Sequence, residues 1–176
     1  IAAGVTIDPN DYGIYNLAAT DATVTTGAGV TVTVIDNDLD QVAFGIYNES
    51  AAAADTAALD PSVEVSLGAN NTITVDQDGA GGEVDGAMGV YAVNSGGGTG
   101  SVSVIVADGA DIQVWGDGAG GIIADTQSGT GDITIDVGTG IIYSWTGDGA
   151  DTVGNLPGNV GIGALPGGGD IVITSS

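Results

Sequence analysis

Apolar residues alternate with polar ones in short runs, and the runs recur with a fixed internal gap. Val24, Val65, Val104 and Ile135 are each followed eight positions later by Val32, Ile73, Ile112 and Tyr143. Strict alternation puts one side chain inward and the next outward, as in a half-buried strand. A first run precedes each pair, with Tyr12-Ile14-Asn16, Phe44-Ile46-Asn48, Met88-Val90-Ala92, Gly120-Ile122-Ala124 and Val160-Ile162-Ala164 expected inward. The second run places Ala22-Val24-Thr26, Val63-Val65-Leu67, Val102-Val104-Val106, Ile133-Ile135-Val137 and Ile171-Ile173 inward. The third does so for Val30-Val32-Val34, Asn71-Ile73-Val75, Ala110-Ile112-Val114 and Ile141-Tyr143-Trp145.

Three strands repeating in this order predict an all-β parallel β-helix, a β-solenoid with three strands per coil and about four and a half coils. Residues 1–11 form a lead-in segment and residues 12–176 the solenoid, as one domain or as a segment of a longer chain. Gly27, Gly68, Ala107 and Gly138 mark a tight corner between second and third strands, where a small residue lets the backbone turn close to its neighbour. The other corners vary, with insertions at Glu49–Pro61, Asp78–Ala87 and Asp148–Asn159. Ala51–Ala58 is the one stretch with the composition for a turn of helix.

Coils stacked at the usual strand spacing make a rod on the order of 20 Å long. Neither end shows an amphipathic helix or polar terminal strand, so both are expected to be open. Open parallel edges attract further strands, and self-association through the ends is the expected partnership.

Composition narrows the partners. The chain has 23 acidic residues and no Lys, Arg or His, a formal charge of −23. Binding to nucleic acid rests on Lys and Arg displacing counterions from phosphates, so no nucleic-acid partner is expected. Attraction to anionic lipid fails for the same reason, and no apolar run is long enough for membrane insertion. There is no Cys, hence no disulfide. The only Met is Met88 and no signal peptide is evident, which suggests a mature protein or a fragment of a larger one.

The triplets Gly13-Ile14-Tyr15, Gly45-Ile46-Tyr47 and Gly89-Val90-Tyr91, the run Gly129–Ile135, and Gly-Asp-Gly-Ala at Gly116–Ala119 and Gly147–Ala150 resemble the repeats of bacterial autotransporter and adhesin passenger regions. The resemblance covers most of the chain from about residue 12. It implies a right-handed parallel β-helix displayed outside the cell or on the bacterial cell surface, with a host or matrix surface as a further partner. The chain lacks the membrane barrel and secretion signal of a whole autotransporter, and its lack of Lys and Arg is unusual for such passengers.

Two constellations are candidates for chemistry. Asp78, Asp117 and Asp148 each follow a third strand by three positions, and Asp36 and Asp38 flank Asn37 at the same place. Stacked coils would bring these carboxylates together, and Ca2+, which takes several hard oxygen ligands, would relieve their repulsion. The alternative is a set of solvated acidic turns. The run Asp36-Asn37-Asp38-Leu39-Asp40 lacks the Gly and terminal Glu of a calcium loop.

The second constellation is a row of Tyr15, Tyr47 and Tyr91 at one outward position, continued by Ile123 and Gly163. Aromatic faces suit sugar rings and protein partners; a cross-strand ladder that only stabilises its neighbours explains the row equally.

Catalysis has little to work with. A His-based triad and an imidazole or thiolate zinc site are ruled out by composition. Polysaccharide cleavage by a β-helix enzyme would have to rely on paired carboxylates, and no pair stands out. Thr31, Thr33, Thr72 and Thr74 begin an outward array of the kind that orders ice, but Asp111, Gln113, Ile142 and Ser144 are expected to break it. The expected role is non-catalytic, structural or adhesive, in a fibre or a surface stalk. The alternative is a carbohydrate-binding or polysaccharide-degrading β-helix.

Overall fold

The computed structural model describes residues 6–7, 11–36, 42–51, 61–77, 86–96, 98–116, 118–127, 129–145 and 160–175. Within them the strands are β1 (Thr6–Ile7), β2 (Tyr12–Ala18), β3 (Ala22–Thr25), β4 (Thr31–Asp36), β5 (Phe44–Ser50), β6 (Val63–Leu67), β7 (Thr72–Gln77) and β8 (Met88–Asn94). Then follow β9 (Val102–Val106), β10 (Ala110–Trp115), β11 (Gly120–Asp125), β12 (Ile133–Val137), β13 (Gly140–Trp145), β14 (Val160–Leu165) and β15 (Ile171–Ser175).

They form three five-stranded sheets, ordered β2-β5-β8-β11-β14, β3-β6-β9-β12-β15 and β1-β4-β7-β10-β13. Every pairing is parallel and joins a strand to its counterpart one coil away. The fold is a parallel β-helix with three strands per coil. β2 to β13 make four complete coils; β1 precedes them on the third face, and β14 and β15 follow on the first two. Part of the lead-in thus joins the solenoid, with Thr6 opposite Thr31 and Ile7 opposite Val32.

The core is a stack of layers, each drawing β-branched residues from all three faces. Ile46, Val65 and Ile73 make one layer; Val90, Val104 and Ile112 make the next; all are essentially fully buried. On the second face the alternation is as expected, with Val63, Val65 and Leu67 buried and Glu64 exposed between them. Buried polar side chains stack at the corners. Asn16 Nδ2 donates to Asn48 Oδ1 at 2.8 Å, and Asn48 Nδ2 donates to the carbonyls of Ala22 and Glu64 at 3.0 and 2.9 Å. Asn71 Oδ1 accepts the Val30 N–H at 2.8 Å. These amides satisfy backbone groups that the turning chain would otherwise bury without partners.

Three expectations are corrected. In β13 the inward residue is Ile142, opposite Ile112, whereas Tyr143 pairs with Gln113 and is exposed with Ile141. The cause is a corner one residue shorter. Coils one to three turn through a left-handed residue at Gly29, Asn70 or Gly109 (φ 67°, 56° and 74°). Val137-Gly138-Thr139-Gly140 has no counterpart to that residue, so the side chains of residues 141–144 in β13 change face.

On the first face, alternation breaks at glycine. A Cβ on Gly45 would lie 2.5 Å from Ile73 Cγ2, inside the core, and Ile46 beside it is also fully buried. Gly89 and Gly121 repeat this against Ile112 and Ile142. Two consecutive inward positions turn Tyr12, Phe44, Met88 and Gly120 outward, onto the tyrosine row, where they were expected inside.

The ends also differ from expectation. Ala22 and Val24, in the outermost strand of the second face, are 0% and 6% exposed, so this end of the core is covered. Ile171 and Ile173, at the opposite edge of the same face, are 44% and 50% exposed, and that end is open. Apart from Ala51, the stretch Ala51–Ala58 lies outside the described residues.

Candidate functional site

The outward side of the first face carries two aromatic rows rather than one. Tyr15, Tyr47, Tyr91, Ile123 and Gly163 are in register along the outer row. Tyr12, Phe44, Met88 and Gly120 form the second, three residues earlier in each strand. The rings make one cluster. Tyr15 stacks on Tyr47 with centroids 5.3 Å apart and planes 15° from parallel, and Tyr12 stacks likewise on Phe44 at 5.3 Å and 7°. Edge contacts join the rows: Tyr12 to Tyr15 at 5.0 Å and Phe44 to Tyr47 at 5.1 Å. Tyr91 closes the cluster with a ring tilted 48° to Tyr47 at 5.6 Å. Stacked and edge-on pairs are the favoured aromatic geometries and add about 0.5–1.5 kcal/mol each beyond area burial.

Carboxylates flank the inner phenols. Tyr47 donates its hydroxyl to Glu49 Oε2 at 2.5 Å, while Glu49 Oε1 accepts the Ser95 hydroxyl at 2.5 Å. Tyr91 donates to Asp125 Oδ2 at 3.3 Å, and Asp125 Oδ1 accepts the Gln127 N–H. Burial, then the Glu49 hydrogen bond, raises Tyr47 well above the ordinary phenol range. Burial, then the Asp125 charge, pushes Tyr91 up to about 12. Tyr12 is also raised, first by burial. The inner phenols are therefore held neutral and act as donors.

At the first coil Tyr15 is 54% and Leu17 51% exposed. The ring faces that Tyr15 and Tyr47 turn to each other are stacked and closed to a ligand. The expected ladder is thus present and its three tyrosines adjoin. Tyr12 and Phe44 were missed; their recurrence three residues before each tyrosine was the available signal, masked by the assumption of unbroken alternation.

The acidic corners stand differently. Asp36 ends β4 with its backbone opposite Gln77. Asp38, Asp78, Asp117 and Asp148 lie outside the described residues. Among the described residues no group of three or more acidic side chains is placed to hold a metal ion. The described corner carboxylates instead tie coil to coil. Asp21 Oδ1 accepts the Ser62 N–H at 2.8 Å, and Asp132 Oδ1 accepts the Asp170 N–H at 3.0 Å. Asp108 Oδ1 accepts the N–H and hydroxyl of Thr139 at 2.9 and 3.0 Å, which holds its carboxyl below the usual range. A carboxylate that takes hydrogen bonds from its neighbouring coil keeps its charge without a cation.

The chain matches no known protein family, and neither curated proteins nor solved structures yield a significant match.

Proposed function

We propose that this chain is a non-catalytic, extracellular structural or adhesive β-solenoid whose coils stack end to end, in a fibre or in a stalk on a bacterial surface. The observation that carries this reading is the stepped form of the two ends. At one, β1 extends the third face a rung beyond β4. At the other, among the described residues, β14 and β15 extend the first and second faces beyond β11 and β12, while the third ends at β13. A second copy brought up head to tail would seat its β1 beside β13, where the described third face ends, and complete the coil. The half-exposed Ile171 and Ile173 would be covered in the same step. Such a contact is heterologous and repeats without closing. The uniform negative charge suits a soluble external surface, and the resemblance of the repeats to passenger regions agrees with that location. The carbohydrate-binding alternative gains no support from an aromatic row whose central faces are stacked on each other.

Electron microscopy and sedimentation velocity of the purified chain test the proposal. Filaments or concentration-dependent oligomers are expected, and Ile173→Lys should return them to single rods with unchanged β-sheet circular dichroism. Single rods at every concentration would reject end-to-end assembly of this chain by itself and leave the stalk reading. Repeating the experiment with Ca2+ and with a chelator examines the acidic corners.

A further inference from the structure

The geometry points to Tyr15 and Tyr47 as an oxidative cross-linking site, at which a haem peroxidase using hydrogen peroxide joins the two rings into a dityrosine that staples coil one to coil two. The two residues occupy equivalent positions on β2 and β5 and are direct register partners. Their rings are stacked at 5.3 Å and only 15° from parallel. Holding two reactants side by side gives an intramolecular reaction a large effective concentration. A radical pair formed here has its partner in place and needs no encounter between chains.

Access and proton transfer are both provided. Tyr15 is 54% exposed and ends the row, so an external oxidant reaches it directly. Tyr47 already donates to Glu49 Oε2, and that carboxylate takes the phenolic proton as the electron leaves. Tyr15 releases its proton to water. The two phenoxyl radicals couple through ring carbons ortho to the oxygens. Each coupled carbon then gives up its hydrogen, which returns to the phenol oxygen as the rings regain aromaticity. Two electrons and two protons leave the pair, and one hydrogen peroxide accepts them to become two waters. The chain has no cysteine to intercept the oxidant. Tyr91 is the less suitable partner for Tyr47, being tilted by 48° and hydrogen-bonded to Asp125.

The test is peroxidase treatment of the dilute full chain, followed by denaturing gels, dityrosine fluorescence and mass spectrometry after cleavage at acidic residues. The expected product has single-chain mass less two hydrogens, with a linkage between the peptides of Tyr15 and Tyr47. Tyr15→Phe and Tyr47→Phe should each cut the fluorescence of the single-chain band about tenfold, and Tyr143→Phe should leave it unchanged. Linkage only between chains, linkage through a different tyrosine, or no product at a peroxide dose that couples N-acetyltyrosine amide would overturn the proposal. The wild-type peptide map decides the matter even if a Phe variant folds poorly.

Discussion

The Tyr47 phenol and the Glu49 carboxylate, two residues apart on one strand, share a 2.5 Å hydrogen bond on the outer surface of the first face. Both side chains point outward because alternation resumes after the inward pair Gly45 and Ile46. The bond keeps the phenol protonated, and that has a consequence at alkaline pH. The folded pKa values of Tyr47 and Tyr91 are raised, the latter to about 12, against an unfolded value near 10. Their contribution to stability is therefore intact below about pH 10 and is lost as pH rises through the folded values. A tyrosinate absorbance titration should show Tyr91 and Tyr47 ionising late, at or after the loss of β-sheet signal. Glu49→Gln should bring Tyr47 to lower pH. Simultaneous ionisation of all five tyrosines near pH 10 in a folded chain would contradict this account.

Gly45 leaves no room for a methyl group. An added Cβ would sit 2.5 Å from Ile73 Cγ2 and 2.6 Å from the Gly89 carbonyl oxygen. Gly45→Ala should destabilise the chain by about 1–3 kcal/mol, the usual range for an overpacked core. Gly98→Ala, where nothing lies within 4 Å, is the control. Equal denaturant midpoints for the two variants would refute the tight fit.

Asn48 serves three partners from the interior: the Ala22 and Glu64 carbonyls and the Asn16 amide. Leucine has a similar size but offers none of these hydrogen bonds. Each buried group left unpaired costs about 1–3 kcal/mol, so Asn48→Leu should lower the unfolding midpoint more than Gly45→Ala does. A variant as stable as the parent would mean that water replaces the amide.

Salt should stabilise this protein. All 23 charged side chains are acidic, and no Lys, Arg or His is present to form an attractive pair that screening would weaken. Raising ionic strength from about 0.01 M to about 0.15 M shortens the screening length from roughly 30 to 8 Å and relieves self-repulsion. The thermal midpoint is expected to rise; a fall would show that the carboxylates are not the dominant electrostatic term.

The sequence reveals the three-faced solenoid because β-branched pairs such as Val65 and Ile73 recur at one spacing and on one side. It does not reveal the face of β13. Ile141, Ile142 and Tyr143 are consecutive and apolar, so hydrophobicity permits either phase. The deciding fact is a missing left-handed residue before Gly140, which composition does not advertise. The outward turn of Tyr12 and Phe44 was hidden similarly, since a buried glycine has no side chain to announce its direction. The tyrosine row was legible from recurrence alone. Its hydrogen bonds to Glu49 and Asp125 were not, because rotamers on the outward side of a sheet are set by side chains around them, in the same strand for Glu49 and in the next coil for Asp125.

The inward glycines do more than admit their neighbours. Gly45, Gly89 and Gly121 each bring the first face against side chains of the third, at the same spacing in coils two to four. The calibre of the rod is thereby fixed locally, coil by coil, independently of how many coils there are. Length and width become separate variables: adding repeats lengthens the rod without swelling it, and surface loops can grow without disturbing its bore.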